Sequence, residues 1–566
     1  MPTRREVLRR GLGALVGFGA ASALPKRLLA RPLAPRAPAG IVPPAAPPFF
    51  SDPILRIAAL ERSELVGGVP FAPQWFGDVF PDNAIPFHSC ESCDRSPAPQ
   101  ESIEVAIVGG GLSGLTSALM LRDRDTVLFE LRPRTGGNAM GEAQGGRAWS
   151  LGSAYFMQPD PGTRIEALYD ELNLASEWRQ DDGTFSFEFD GEVGTDLLGP
   201  DPDPTAVRAL AAYQAAVEYF ACEAYPEIPF DEPSREVSEL DLRTFKDDLL
   251  LRCGSLPPRL EYILQAYCYS SFGVGFDELS AAAGWNFVAA EEFGRNILPG
   301  GNAGLARAIW KAAHRPREGG PGVPMRTGSL VASIEPVRDG SILRWRTPDG
   351  ELRSTHARQV ILANAKHIAR HMMPWLAETD PEKFDAMHQV PTAAYLVANV
   401  LLSRGIDQDF YDLFLGGGRT FPLDGNAFEF DRVVTDAVNA GFATAGSSRA
   451  LTLYWPLPWH TARFSIVEAS DWRSYAELLV PQLEEKLGIF GLGLADVQQV
   501  RMTRWGHAMP YAVPGKLTSG LPQELRRPLN GNIWFANQDN WLLPAVETAF
   551  EEAFWVTDQV REELPP

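Results

Sequence analysis

Three glycines and one acid carry the clearest chemical signal in the chain. Gly109, Gly111 and Gly114 stand in a G-x-G-x-x-G pattern, and Glu130 follows 16 residues after Gly114. Glycine at the first position permits a tight turn. Glycine at the second lets backbone N–H groups approach a pyrophosphate at a helix N-terminus. Glycine at the third lets helix and strand pack closely. A carboxylate at the end of the next strand is placed to hydrogen-bond ribose hydroxyls. The chemistry implied is dinucleotide binding. Arg134 and the pair Gly136-Gly137 extend the pattern, with a cation near phosphate and a second close approach of backbone.

The other candidates lie far along the chain. His507 changes charge near neutral pH and could tune the protonation of a basic substrate, or it could be a hydrogen-bonded core residue. Tyr395, Trp505 and Trp541 fit either an aromatic cage or the core. Tyr155 follows the glycine pair closely enough to line the same site. Five cysteines make no disulfide scaffold, and Cys90-Glu-Ser-Cys93 reads as a local disulfide or free thiols, since His88-x-Cys90-x-x-Cys93 lacks the second ligand pair a metal needs.

These residues need particular elements to hold them. Val105 to Val108 reads as a strand, the segment to Arg122 as a helix, and Val127 to Phe129 as a second strand, the order a dinucleotide fold requires. Residues 160–290 read as mostly helical, with helices expected over Ala206–Phe220, Ser238–Arg252, Arg259–Phe272 and Leu279–Ala290. Strands are expected at Leu330–Ile334, Ile342–Arg346 and His356–Ala363, with Asp339-Gly340 and Asp349-Gly350 as turns. Val390 to Val400 alternates as a strand. Asn532 to Ala536 is a last strand, and Val546 opens a helix to about Leu564.

The chain has 566 residues, 45% hydrophobic and 22% charged, with a net charge of −21. That is a globular composition with room for a large core, and its acidity argues against a nucleic-acid surface. Acidity serves solubility and also suits a cationic substrate. Thr3-Arg4-Arg5-Glu6-Val7-Leu8-Arg9 and the short apolar run Gly11–Leu24 look like a twin-arginine export signal, cut after Ala23, which implies the export machinery as a partner and a periplasmic or secreted protein. A Pro- and Ala-rich linker follows from Pro25 to Pro53, then an N-terminal extension that packs on the main body. No other stretch is long and apolar enough to cross a membrane.

Taken together, G-x-G-x-x-G, then Glu130-x-x-x-Arg134-x-Gly136-Gly137, then Leu151-Gly152-Ser153 resemble the flavin-dependent amine oxidase superfamily. Pro299-Gly300-Gly301-Asn302-Ala303, the Val390–Val400 strand and Arg504–Tyr511 resemble its spermidine-dehydrogenase-like branch. The resemblance implies an α/β fold with a Rossmann-like FAD domain and an α+β substrate domain built from two insertions. It implies FAD on Gly109, Gly111, Leu112, Ser113, Gly114, Glu130, Leu131, Arg134, Gly137 and Asn138, with Val331 at the adenine. It places Asp539 on the ribityl chain and the helix start at Val546 beside the flavin, where the helix dipole favours negative charge. The expected division is 1–24 signal, 25–100 linker and extension, 101–160, 296–380 and 526–566 FAD domain, and 161–295 and 381–525 substrate domain.

The implied reaction is oxidation of a small amine, polyamine-like, by hydride transfer to flavin, with hydrolysis of the imine that results. Two departures from the superfamily stand out. The Pro391–Val400 strand has no lysine, and the place of the usual cage tyrosine is Ala545, with Trp541 the nearest aromatic. The missing lysine fits a dehydrogenase that hands electrons to a separate acceptor. Other substrates within the superfamily remain open: an L-amino acid, for which Arg504 would clamp the carboxylate, or a carotenoid. A flavin-binding accessory protein with little turnover is the alternative of another class.

Overall fold

The computed structural model describes residues 54–60, 62–78, 97–181, 186–189, 191–199, 201–227, 232–315, 322–416, 433–444, 448–457, 465–468 and 470–564. The twin-arginine segment, the Pro-rich linker, Cys90 and Cys93 lie outside these residues.

The first sheet grows from strand β1 (Glu101–Val108), whose apolar end is fully buried. Beside it lie β2 (Thr126–Phe129), β3 (Met325–Arg326), β4 (Leu330–Val337), β5 (Gly340–Arg346) and β6 (Leu352–Leu362), in the order β3-β2-β1-β6-β5-β4. The β1, β2, β3 and β6 neighbours pair in parallel. The β4-β5-β6 meander is antiparallel. Its first hairpin turns at Asp339-Gly340, where φ of Gly340 is +146° and an added Cβ would lie 2.3 Å from the Ala357 carbonyl oxygen.

Among the described residues the second sheet has ten strands. At its centre are β7 (Thr392–Ile406), β8 (Asp412–Leu415), β9 (Asp436–Asn439), β10 (Ser448–Pro456) and β11 (Val497–Pro510), in the order β8-β9-β10-β7-β11. The N-terminal extension contributes to a separate small sheet and to the second sheet. Leu55–Ile57 pairs with Gly141–Gln144, and Val69–Phe71 and Glu64–Val66 add to the β11 edge. The last strand, β12 (Ile533–Phe535), returns to the first sheet beside β6.

Helices close the structure. α1 (Leu112–Met120) follows the glycine turn. α2 (Pro204–Cys222) is capped by Asp203, whose carboxylate accepts from the Thr205 and Ala206 N–H groups. The apolar pattern over Ser238–Arg252 divides into two helices, α3 (Arg235–Asp241) and α4 (Phe245–Cys253). Thr244 breaks the run because its hydroxyl accepts from the Asp247 N–H and starts a new helix. α5 (Pro258–Phe272), α6 (Ala281–Ala290) and α7 (Asn302–His314) follow, and α8 (Val546–Glu563) is the terminal helix. The 161–295 stretch also holds strands, at Arg179–Asp181, Phe187–Phe189 and Glu192–Gly194. Phe187–Phe189 pairs in parallel with β8, so a piece of this stretch completes the second sheet. The architecture is a Rossmann-like sheet with a separate substrate-side sheet and helices.

Candidate active site

A cavity of about 940 Å³ runs from the glycine turn to one face of the second sheet. At its first end the geometry of each glycine explains the motif. Gly109 has φ +108°, and an added Cβ would sit 2.9 Å from the Ala363 carbonyl oxygen. A Cβ on Gly114 would lie 1.9 Å from the Gly109 carbonyl oxygen, so this glycine sets the packing of α1 on the turn. Gly111 differs: a Cβ there would meet only the Gly137 Cα, at 3.9 Å, and would otherwise project into the cavity. Gly111 is the N-cap of α1 and, having no side chain, offers no cap. The first N–H groups of the helix are left for a ligand, and the helix dipole makes an anion the natural one.

Glu130 is buried at the cavity wall. Its Oε2 accepts from the Gly110 N–H at 2.7 Å and its Oε1 from the Arg132 N–H at 2.8 Å. These bonds fix the carboxylate while each oxygen keeps a lone pair for a hydroxyl donor. Leu112, Ser113, Leu131, Gly137, Asn138 and Val331 line the same end. Asn138 is held by donating Nδ2–H to the Ala508 carbonyl at 2.8 Å. Asn364, also at the wall, has neither amide atom partnered, which is the condition of a group awaiting a ligand. Asp539 and Val546 line the cavity from the C-terminal segment. Asp539 accepts the Lys366 N–H at 2.8 Å, and burial raises its carboxyl above the usual range. Glycine cradle, oriented acid and orphaned amide together fit a bound dinucleotide.

The second end is the face of the β8-β9-β10-β7-β11 sheet. Alternate residues of a strand share a face, and Tyr395 on β7 stands opposite Trp505 on β11. His507, two residues on, continues the row. Its ring stacks on His367 with centroids 3.6 Å apart, and its Nδ1 lies 2.7 Å from the Thr392 hydroxyl. Two imidazoles this close resist both being charged at once. The Tyr395 hydroxyl donates to Ser270 Oγ at 3.4 Å, and burial pushes its phenol well above its ordinary range. Tyr395, Trp505, His507, His367 and Tyr155 all line the cavity.

Three expected residues are placed elsewhere. Trp541 is fully buried away from the cavity lining, with Nε1–H donating to Glu552 Oε1 at 2.7 Å and Arg526 over its ring. Its position before the last helix suggested a cage wall, but the left-handed turn at Leu542 leads the indole into the core. Arg134 donates to the Ile54 and Gly141 carbonyls, at 3.2 and 3.1 Å, and clamps the N-terminal extension instead of lining the cavity. Arg504 donates to the Val467 and Glu468 carbonyls, at 2.8 and 3.1 Å, outside the lining, so it does not serve as a carboxylate clamp there.

Sequence reasoning missed Arg132, His367, Asn364, Asp412, Asp436 and Tyr454, all of which line the cavity. Arg132 is paired with Asp78 and lies over Trp505 at 5.2 Å. Only Arg132 carried a signal, as a cation two residues past the strand-end acid. Among the described residues no cluster of His, Cys, Asp and Glu could hold a metal, and no helix is long and apolar enough to cross a membrane.

Comparison with known proteins adds the following. The model of the family described as flavin containing amine oxidoreductase matches residues 112–541. Oxidoreductase PigB of Serratia sp. is 20% identical over 555 residues, covering 85% of this chain and 78% of the relative. Coproporphyrinogen III oxidase of Mycobacterium tuberculosis is 25% identical over 452 residues, covering 74% of this chain and 90% of the relative. Among solved structures, wild-type putrescine oxidase bound to putrescine superposes with a TM-score of 0.60 at 18% identity, covering 81% of this chain and 99% of that one. At that identity the likeness is one of fold.

Proposed function

The chain belongs to the flavin containing amine oxidoreductase family, and from that premise we propose that it is an FAD-dependent oxidoreductase that oxidises a small, polyamine-like amine. The observation that carries this reading is the single cavity, with a dinucleotide cradle at one end and a row of aromatic and imidazole side chains at the other. Bound FAD would supply the acceptor for a hydride and its two electrons.

The protein's part is binding and position. The α1 N-terminus at Gly111 to Ser113 would hold the pyrophosphate, Glu130 a ribose, and Val331 the adenine. Asp539 would take the ribityl hydroxyls, and the start of α8 at Val546 would face the ring. Tyr395 and Trp505 would pack an alkyl amine against that ring, and near-attack placement accounts for much of the rate. The His507–His367 pair would take the proton that an ammonium must lose before its C–H can leave with the electron pair. Water then hydrolyses the imine to a carbonyl compound and a free amine.

The spermidine-dehydrogenase-like segments Pro299–Arg307 and Arg504–Tyr511 support the polyamine assignment. The absence of lysine in Thr392–Ile406 supports an electron acceptor other than oxygen. The amino-acid alternative loses the residue on which it rested, since Arg504 is engaged by backbone carbonyls. The division of the chain into FAD and substrate domains at the boundaries given above, and export by the twin-arginine route, belong to the same proposal.

The test is direct. Purified protein should be yellow with bound FAD, and anaerobic addition of amines should bleach the flavin. Colourless protein that takes up no FAD would sink the reading. Yellow protein that no amine bleaches would favour the accessory role.

A further inference from the structure

Two buried acids at the far end of the cavity have no part in holding a dinucleotide or in moving a hydride. Asp412 lies on β8 and Asp436 on β9. In the ladder Asp412 faces Val438 and Phe414 faces Asp436, so both carboxylates rise from one face of the sheet. Tyr454 stands opposite Asp436 on the next strand. Its ring meets that of Tyr395 edge-on at 6.0 Å. All four side chains line the cavity.

The charges around them do not balance. Arg295 is buried among acids, 2.6 Å from Asp181, 3.1 Å from Asp412 and 3.6 Å from Glu291. Asp436 receives only the Ser270 hydroxyl. One guanidinium thus serves three carboxyls directly, and a fourth, Asp436, feels that same Arg295 only at longer range, with no ion pair of its own. Asp412 and Asp436 are 8% and 3% exposed, yet Oδ1 of each has no hydrogen-bond partner. A buried oxygen left so is a standing penalty that a donor would relieve. Burial, the largest cause, raises the Asp412 carboxyl to about 6 and the Asp436 carboxyl well above its ordinary value. The site lacks donors and positive charge, and a primary ammonium brings three of the first and one of the second. The ring of Tyr454 adds an aromatic surface of the kind cations favour.

We propose that Asp412 and Asp436 form a subsite for a second ammonium of the substrate, distal to the carbon that is oxidised, so that the preferred substrate is a diamine or polyamine. The proposal rests on the amine-oxidation reading and goes beyond it, because it names the residues that choose the substrate. Asp436 and Asp412 select and position the amine; neither touches the transferred hydride.

The experiment compares α,ω-diaminoalkanes with monoalkylamines of the same length. It measures anaerobic flavin bleaching by the FAD-loaded full chain, with Asp436→Asn and Asp412→Asn as variants. For the unaltered protein we expect a diamine-to-monoamine ratio of roughly 10² or more in rate over apparent Kd, as for a site whose buried polar groups are otherwise left unpaired. In either variant the ratio should collapse toward one. In Asp436→Asn the thermal midpoint should hold or rise, since a buried carboxylate with no ion pair of its own has been removed. A ratio near one in the unaltered protein, or a ratio that survives Asp436→Asn, overturns the subsite. If a variant fails to fold, the ratio of the unaltered protein still decides. Bleaching by both amine classes at equal rates sinks the subsite alone, whereas bleaching by no amine sinks the amine-oxidation reading and the subsite with it.

Discussion

The two ends of the cavity are built from different materials. At the cofactor end the backbone does most of the work, and the residues responsible are close in sequence: Gly109, Gly111, Gly114, Glu130 and Gly137 fall within one strand-turn-helix-strand unit. At the far end the wall is made of side chains from five strands spread over Thr392–Pro510, with Ser270 reaching in from α5 and Arg295 behind Asp412. The buried cations are also placed differently. Behind Asp539 lies Lys366, fully buried, its Nζ making no hydrogen bond and lying 5.2 Å from the Phe535 ring; the far end holds Arg295 ion-paired among acids. At the far end the surplus is of carboxylates. A backbone site dictates residue type through steric rules, while a side-chain site dictates it through pairwise chemistry across the fold.

The sharpest way to break this contrast is to add one methyl group at two neighbouring glycines. Gly114→Ala puts a Cβ 1.9 Å from the Gly109 carbonyl oxygen, so α1 must shift off the turn. A change of that kind typically costs about 1–3 kcal/mol or more, and we expect a lower thermal midpoint together with lost FAD. Gly111→Ala meets nothing closer than 3.9 Å, and φ of Gly111 is −75°, which alanine adopts readily. It should fold with an unchanged midpoint as apoprotein while binding FAD at least tenfold more weakly, read by flavin fluorescence titration. Equal loss of stability in both variants would mean that the two glycines serve packing alike.

This contrast also accounts for what was legible in the sequence. The turn glycines and Glu130 could be read because local backbone geometry leaves few residue choices, and strand, turn, helix and acid fall in register. The β4-β5-β6 meander could be read from its Asp-Gly turns. Asp412 and Asp436 could not, because nothing local marks a carboxylate that becomes buried only when β8, β9 and α5 meet. The break between α3 and α4 was hidden because an apolar period of helical spacing continues across it, and the Thr244 cap that decides it is one hydroxyl. Arg134 misled for a related reason: its spacing suits a phosphate, but the N-terminal extension offers it two carbonyls first.

The buried cation at the cofactor end can be tested through pH. Burial pushes the Lys366 ammonium down to about 8, with Asp539 and Glu552 opposing the shift. An unfolded lysine titrates near 10.4. Between these values the unfolded chain binds more protons than the folded one, so stability rises with pH through that window. The penalty is fully present below pH ~8 and is relieved toward pH ~10, about 3 kcal/mol in all. Lys366→Met should flatten the slope of thermal midpoint against pH between ~8 and ~10. An unchanged slope would show that Lys366 keeps an ordinary ammonium in the fold.

The smallest effect concerns Trp541, which belongs to neither end. Its indole donates to Glu552, which also accepts from Asn540 Nδ2 at 2.5 Å and pairs with Arg526 at 3.1 Å. Trp541→Phe keeps most of the apolar bulk and removes one donor from a buried carboxylate, worth roughly 1–2 kcal/mol. The expected result is a modestly lower thermal midpoint with KM and kcat for the best amine unchanged. Because Glu552 keeps two other partners, the loss should fall near the lower figure. A rise in KM at constant midpoint would instead return Trp541 to the substrate wall. It would also move the boundary between the two regions toward the last helix, since the indole would then be joining the Tyr395 and Trp505 face from the cofactor side.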